Sequence, residues 1–366
     1  MYRTFLLVHR WLALAVAVFL TIVAISGGLL VLEGPIARAR QPHVTPAGSP
    51  LSLDTLVQRA RAKAGGGRVA MMGLGDSPDL AWSVSLALPR SGAEARGGGG
   101  GGGRGASLLV NPYTGAILPE RTAPDPLVAF MRKVHLLHTQ LLAGRTGSTI
   151  VVVVTFVALF LVLSGIVVWW REKLWRVNTS ASWKRINFDL HHSLGVFSAV
   201  LLLLITSTGL WVHYATVDDW MRKLNRSQTP PIPTQLAAEP GTPVLSLDSI
   251  ASVARASVPG AAIMNIQLPP GPKLPGMVQL KYPEDHTPAG RSRVFIDKYR
   301  GTVLLTMSTR TAEAGQHMID IKRALHTGDI YGLPTQILWA LGALLLATQA
   351  VTGVVMWWNA KRRLLS

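Results

Sequence analysis

The sequence predicts a membrane α-helical bundle of four spans with two periplasmic α+β domains, internally duplicated. Two observations predict this class: four long apolar segments, and the same motifs occurring once in each half of the chain. Each segment has the roughly 20 apolar residues needed to cross about 30 Å of hydrocarbon. The predicted spans are Phe5–Leu32, Thr149–Trp170, Leu194–Tyr214 and Thr335–Trp358.

Composition narrows the possible chemistry. The 366 residues include no cysteine, which excludes disulfides, thiolate metal sites, iron–sulfur clusters and covalently attached c-type haem. The formal net charge of +17 comes partly from basic residues near the spans, so a membrane protein explains it better than nucleic-acid binding. These residues crowd the connection between spans two and three and both chain ends: Arg3, Arg10, Arg171, Lys173, Arg176, Lys184, Arg185, Lys361, Arg362 and Arg363. The positive-inside rule therefore predicts that both termini are cytoplasmic and that the two long connections lie outside, which in a Gram-negative cell is the periplasm.

The strongest signal is the repeat. LHTQLLAG (137–144) matches LHTGDIYG (325–332), and SGIVVWW (164–170) matches TGVVMWW (352–358) at the same offset. In the other pair of spans, His9, Leu12, Ser26 and Gly27 match His191, Leu194, Thr208 and Gly209. The loops repeat too: LSLDTLVQRARA resembles LSLDSIASVARA, and VNPYTGAIL resembles IDKYRGTVL. Each half is thus a span, an external domain and a span, related by an axis along the membrane normal.

Each external domain is predicted as one amphipathic helix followed by alternating strands, such as AWSVSLAL, MVQLKY and SRVFID. The steps Tyr113–Gly115 and Tyr299–Gly301 predict hairpin turns, and the glycine run at 97–103 predicts a flexible loop. The predicted order is span 1 (1–33), first external domain (34–133), outer helix with span 2 (134–171), cytoplasmic loop (172–188), span 3 (189–214), second external domain (215–320), outer helix with span 4 (321–359) and cytoplasmic tail (360–366).

Together, LHTQLLAG…SGIVVWWR, HHSLG…TGLW and LHTGDIYGLP…TGVVMWW resemble the PepSY-associated transmembrane family of bacterial inner-membrane proteins, often called iron-regulated. The resemblance covers nearly the whole chain, and the external segments would correspond to PepSY domains. Members with assigned activity are haem-b-containing reductases of ferric siderophores. The resemblance therefore implies transmembrane electron transfer, used in iron uptake.

The histidines indicate a similar chemistry on their own, because coordinating groups at membrane depth are functional candidates. The repeat makes His9 equivalent to His191, and His138 equivalent to His326. Equivalent residues can face each other across a two-fold axis, and two facing imidazoles are the axial ligands that a low-spin b-type haem requires. We expect two haems b, an inner one between His9 and His191 and an outer one between His138 and His326. The alternative is that these histidines are ordinary interfacial residues.

Glycines recur near the expected positions of both haems, the inner one and the outer one. The spacing from His9 to Gly27 equals that from His191 to Gly209, about five turns at about 3.6 residues per turn, so each pair shares a helix face. Gly27 and Gly209 are expected near the outer haem, and Gly165 and Gly353 near the inner one. There a missing side chain would let a porphyrin lie against backbone; alternatively, the glycines only let helices pack closely. The breakers Gly144, Gly147, Gly332 and Pro334 predict short outer helices that bring His138 and His326 to the bundle rim.

Three histidines without a repeat partner, His192, His135 and His213, are second choices as ligands or as donors to a propionate or substrate. Basic residues near the outer histidines would neutralise propionates or attract an anionic chelate, unless they are ordinary membrane-flanking charges. They are Arg132, Lys133, Arg145, Lys322 and Arg323.

The favoured hypothesis is a haem-dependent oxidoreductase that reduces a periplasmic ferric chelate, such as a ferric siderophore. The chain has no Rossmann or flavin fingerprint, so the donor is expected to be quinol or a cytoplasmic reductase. One alternative is a membrane-anchored PepSY binding or regulatory protein without redox activity. Another is a histidine-based metal transporter, disfavoured because the predicted spans contain no acidic residue and Glu33 and Asp329 lie only at edges.

Overall fold

The computed structural model of the chain describes residues 2–88, 105–119, 125–228, 231–233, 235–236 and 242–362. The predicted loop at 97–103 lies outside these residues. The chain divides into two compact units. The first contains Met1–Ala39, Pro124–Lys223 and Ile321–Ser366, and the second contains Arg40–Ala123 and Leu224–Asp320.

The first unit is built on four long helices: α1 (Tyr2–Leu30), α5 (Gly144–Glu172), α6 (Trp183–His213) and α10 (Leu333–Arg362). Each is long and apolar enough to cross a membrane, so the multi-pass membrane class is confirmed. Helix α1 packs against α5 and α10, and α6 packs against the same two helices, which closes a ring of four. Small and aliphatic side chains fill its centre, including Leu20, Ala158, Leu202 and Leu346.

Shorter helices flank the spans: α2 (Glu33–Ala39), α4 (Pro126–Gln140), α7 (Ala215–Leu224) and α9 (Ala314–Thr327). A turn at 141–143 separates α4 from α5, and a Cβ on Gly147 would lie 1.7 Å from the carbonyl oxygen of Gln140. Between α9 and α10, Gly328 and Gly332 have φ of +79° and +67° around a single 3₁₀ turn, Asp329–Tyr331. Such values favour glycine. The predicted breaks between the histidine-bearing helices and the spans are confirmed.

The third span begins earlier than predicted. Helix α6 starts at Trp183 rather than Leu194, and it therefore contains the carboxylate of Asp189. The expectation that no span carries an acidic residue is wrong at this position. Asp189 is 1% exposed; it pairs with Nε of Arg185 at 2.7 Å and accepts a hydrogen bond from the backbone of Asn178 at 3.1 Å. The ion pair lets the helix continue through a polar segment that hydropathy alone would not include.

The second unit joins both external segments in one sheet. The first segment supplies helix α3 (Leu53–Ala64), β1 (Arg68–Gly73), β2 (Trp82–Ala87) and β3 (Gly105–Val110). The second supplies α8 (Leu247–Ser257), β4 (Ala262–Gln267), β5 (Gly276–Lys281), β6 (Ser292–Ile296) and β7 (Val303–Met307). The strand order is β3-β2-β1-β4-β5-β6-β7, antiparallel throughout, and β1 and β4 pair where the two segments meet. One hydrophobic core lies between the sheet and both helices, so two regions treated as separate domains in the sequence are continuous here.

The helices α3 and α8 cap each other reciprocally. The carboxylate of Asp248 accepts hydrogen bonds from the backbone N–H groups of Leu53 and Asp54, at 2.9 and 3.0 Å. The carboxylate of Asp54 accepts from Leu247 and Asp248, at 2.9 and 3.3 Å. Each carboxylate therefore satisfies first-turn donors of the other helix and complements its dipole.

The Tyr-x-Gly turns are also present. Asn111 accepts hydrogen bonds from the backbone N–H of Tyr113, and Asp297 does the same for Tyr299. The glycines that close these turns, Gly115 and Gly301, have φ of +68° and +76°. The predicted turns are confirmed.

Candidate functional site

His138 and His326 lie close together. Their ring centres are 6.2 Å apart with the planes tilted by 31°, although one histidine comes from α4 and the other from α9. Each ring packs against a glycine of a span. A Cβ on Gly27 of α1 would lie 2.8 Å from Cε1 of His138, and a Cβ on Gly209 of α6 would lie 3.1 Å from Cε1 of His326.

His9 and His191 line one cavity of about 410 Å³, whose walls come from α1, α5, α6 and α10. These rings also lie against glycines of neighbouring spans. A Cβ on Gly165 would lie 3.5 Å from Cε1 of His9, and one on Gly353 would lie 3.4 Å from Cε1 of His191.

The hydrogen bonds of the cavity pair determine their tautomers. Nδ1 of His9 lies 2.8 Å from Oγ of Ser164, and the hydroxyl of Ser164 already donates to the carbonyl of Leu161 at 3.2 Å. Nδ1 of His191 lies 2.9 Å from Oγ1 of Thr352, whose hydroxyl donates to the carbonyl of Thr348 at 2.7 Å. With the hydroxyl protons directed at these carbonyls, each imidazole donates from Nδ1–H.

His138 and His326 also have Nδ1 placed to donate a hydrogen bond. Nδ1 of His138 lies 2.9 Å from the carbonyl oxygen of Val23, which can only accept. Nδ1 of His326 lies 3.3 Å from Oγ1 of Thr208, whose hydroxyl donates to the carbonyl of Leu204 at 2.6 Å. All four imidazoles therefore leave Nε2 unprotonated. A histidine that ligates a metal is commonly held in this way, with its second ring nitrogen donating to an oriented oxygen.

Each candidate histidine thus faces a Ser–Gly or Thr–Gly step of a neighbouring span. The glycine makes room for the imidazole ring, and in three of the four steps the preceding hydroxyl accepts from Nδ1. At Ser26–Gly27 the carbonyl of Val23 takes that role. Each glycine adjoins the ring of a candidate ligand in this structure, and the expectation that a porphyrin also lies against these glycines stays a prediction. Sequence reasoning missed the hydroxyls, although the SG and TG steps recur in the aligned motifs. The steps are Ser26–Gly27, Ser164–Gly165, Thr208–Gly209 and Thr352–Gly353.

The histidines of α4 and α9 are held neutral. Burial lowers the pKa of His326 to about 4, and the nearby His138 lowers it further. Burial also lowers the pKa of His138, against the opposing effect of its bond to Val23. Neutral imidazole is the form that binds metal ions.

The second-choice histidines have other neighbours. Nδ1 of His135 lies 3.1 Å from a carboxylate oxygen of Glu33, and the ring of His213 lies against Tyr214 at 5.0 Å. His192 lines the cavity, with its ring centre 4.0 Å from that of Phe188.

Of the basic residues suggested near the outer histidines, Lys322 binds Asp218 at 2.7 Å in a largely buried ion pair. Its charge is therefore already compensated within the first unit. No group of three or more His, Asp or Glu side chains suited to a metal ion occurs among the described residues.

The donor set fits an iron held between two imidazoles. A bond from an imidazole nitrogen to a metal ion is about 2 Å, so two rings on one metal have centres about 6 Å apart. The 6.2 Å between His138 and His326 matches this spacing. His9 and His191 offer the same tautomer in an apolar cavity. The residues present are therefore compatible with b-type haem, which needs no cysteine.

Four helices long and apolar enough to cross a membrane, with candidate histidines on two of them and on the shorter helices α4 and α9, define a polytopic membrane protein with two candidate bis-histidine sites. The chain belongs to the family of the PepSY-associated TM region, whose model matches residues 6–360. No curated protein matches the chain.

Proposed function

We propose that the protein is a di-haem b electron-transfer protein of the bacterial inner membrane. In this proposal it reduces ferric iron in a periplasmic chelate, such as a ferric siderophore. The observation that carries the proposal is that four histidines, in two pairs, each have Nδ1 within 3.3 Å of an oxygen that can accept its proton, an arrangement that keeps Nε2 available as a ligand. We also propose that the chain is an internal duplication and that its sheet unit consists of two PepSY domains.

His9 and His191 would hold one haem iron, and His138 and His326 would hold the other. Bound haem supplies one-electron transfer, which the side chains of this protein cannot perform themselves. The hydroxyls of Ser164, Thr352 and Thr208 and the carbonyl of Val23 orient the ligand rings. Aliphatic side chains of the spans keep water from the ligands.

The substrate chemistry is a one-electron step. Fe(III) in the chelate accepts one electron and becomes Fe(II), which hard oxygen ligands hold less tightly, so iron is released. The electron comes from quinol or from a cytoplasmic reductase. The basic connection between α5 and α6 supports a cytoplasmic position for the level of His9 and His191 by the positive-inside rule.

The first test is the absorption spectrum of the protein purified from haem-replete cells. We expect split α and β bands after dithionite reduction, at about two haems per chain. A colourless protein would overturn the proposal. His326→Ala should remove one haem and leave the other, whereas His43→Ala, in the sheet unit, should remove neither.

The second test addresses the acceptor. The dithionite-reduced protein, freed of excess reductant, is mixed with a ferric siderophore in a stopped-flow instrument. We expect the reduced α band to decay while a ferrous chelator in the same solution reports Fe(II). A haem-loaded protein that is not reoxidised would refute ferric reduction while leaving haem binding intact.

A further inference from the structure

Arg10 stands out among the residues that line the cavity. The cavity is mostly apolar, and no Asp or Glu occurs among its lining residues. Arg10 is permanently charged, and its Nε is buried without a hydrogen-bond partner in the described part of the chain. The guanidinium lies 5.9 Å from the ring centre of Trp11.

An unpartnered guanidinium nitrogen in an apolar wall is unfavourable, because a buried donor without an acceptor loses the hydrogen bond it made in water. The Arg10 side chain as a whole is half-buried, so the unpartnered donor is its buried Nε. A ligand bound in the cavity that brought an anionic oxygen to Arg10 would remove this cost. A carboxylate is the best match, because the planar guanidinium donates two parallel hydrogen bonds to it.

The position of Arg10 agrees with this role. It directly follows His9, and its counterpart in the second half is His192, which directly follows His191 and lines the same cavity. The two halves therefore place a polar group beside each candidate ligand. In the first half this polar group, Arg10, is permanently charged, whereas in the second half it is a histidine.

We infer that Arg10 binds a carboxylate of the group held between His9 and His191, namely a propionate of haem b. This inference rests on the proposed function. It makes Arg10 a determinant of haem retention at that site and gives the two halves different roles. The competing source of an anionic oxygen is a lipid phosphate at the membrane surface.

The test compares haem with its dimethyl ester, in which both propionates are blocked. The full-length protein carries His326→Ala, so that only the His9 and His191 site is loaded, and it is stripped of haem and reconstituted in nanodiscs. The rate of haem loss to excess apomyoglobin is followed by absorbance. The protein with Arg10 intact should retain haem about tenfold longer than it retains the dimethyl ester, because the ester cannot form the hydrogen bond between two charged groups.

Arg10→Gln should shorten haem retention about tenfold and leave ester retention unchanged, so that the two ligands become equivalent. Arg10→Lys keeps the charge but not the paired donors of the guanidinium, so its haem retention should lie between those of the wild-type protein and Arg10→Gln. Arg3→Gln, at an exposed position on the same helix, is the matched control and should change neither rate. If Arg10→Gln shortens both retentions equally, or neither, Arg10 does not bind a propionate.

A second measurement uses the purified holoprotein and does not require reconstitution. Loss of the charge should lower one of the two haem midpoint potentials and leave the other in place. A tenfold change in the ratio of Fe(II) to Fe(III) corresponds to about 59 mV for one electron. A bis-histidine spectrum with unchanged potentials in Arg10→Gln refutes this inference alone. A wild-type protein without haem refutes the proposed function as well.

Discussion

The four ligand-facing glycines form a graded series that alanine substitution can test. A Cβ on Gly27 would lie 2.8 Å from the ring of His138, whereas a Cβ on Gly165 would lie 3.5 Å from the ring of His9. Carbon atoms in favourable contact are about 3.5–4.0 Å apart. The first substitution therefore pushes a ligand ring out of place, and the second makes an ordinary contact.

The expected loss of free energy on alanine substitution follows from two opposing contributions. Overpacking typically costs about 1–3 kcal/mol, and replacing a helical glycine with alanine returns roughly 0.5–1 kcal/mol. Gly27→Ala should therefore lose on the order of 1 kcal/mol, which is roughly fivefold in haem affinity at the site of His138 and His326. Gly165→Ala should be neutral or slightly stabilising. Gly209→Ala and Gly353→Ala, at 3.1 and 3.4 Å, should fall between them in that order.

Haem content per chain by the pyridine haemochrome assay and the rate of haem loss both report the effect. Gly34→Ala is the control, because nothing lies within 4 Å of its Cβ position. Thermal unfolding of the same variants gives a readout that does not require haem. Equal behaviour of Gly27→Ala and Gly165→Ala, or a larger loss in the second, would refute the reasoning.

Two further predictions concern hydrogen bonds. Ser164→Ala removes the acceptor of Nδ1–H of His9 and should weaken haem binding about 10- to 100-fold, measured as haem loss, whereas Thr348→Ala should leave it unchanged. In the sheet unit, burial acts to raise the pKa of Asp248, but hydrogen bonds from the N–H groups of Asp54 and Leu53 outweigh it, and the net shift is downward from 3.8. A carboxyl whose pKa is lower in the folded than in the unfolded protein stabilises the fold above the unfolded pKa, and this contribution is lost as the pH falls through the folded pKa. The melting temperature should therefore fall as the pH drops through about 4 and below, and it should fall less in Asp248→Asn. An equal response to acid in the wild-type and variant proteins would contradict this.

Much of the membrane unit is predictable because its signals are local. Apolar length identifies four spans, and glycines with proline mark the breaks before α5 and α10. The repeat brought His138 and His326 together as a pair, and their rings do lie 6.2 Å apart. This pairing is predicted from equivalent positions in the two aligned motifs, because the two histidines are far apart in sequence.

The remaining features depend on contacts between distant segments. Ser164 and Thr352 look like ordinary small polar residues until the neighbouring helix places an imidazole against them. Asp189 lies beyond the apolar segment, and only its pairing with Arg185 shows that α6 includes it. The joining of β1 and β4 involves three residue pairs far apart in sequence, which no local pattern could indicate.

That junction has a consequence for the order in which the protein is made. When only the first half of the chain has been synthesised, one edge of β1 has no strand beside it, and the carboxylate of Asp54 has no helix to cap. Both partners, β4 and α8, follow only after two more spans have been threaded into the bilayer. During that interval the exposed edge is open to β-pairing with another nascent chain. A ribosome that stalled between the halves would therefore leave an intermediate that is prone to strand exchange and that chaperones would be expected to bind.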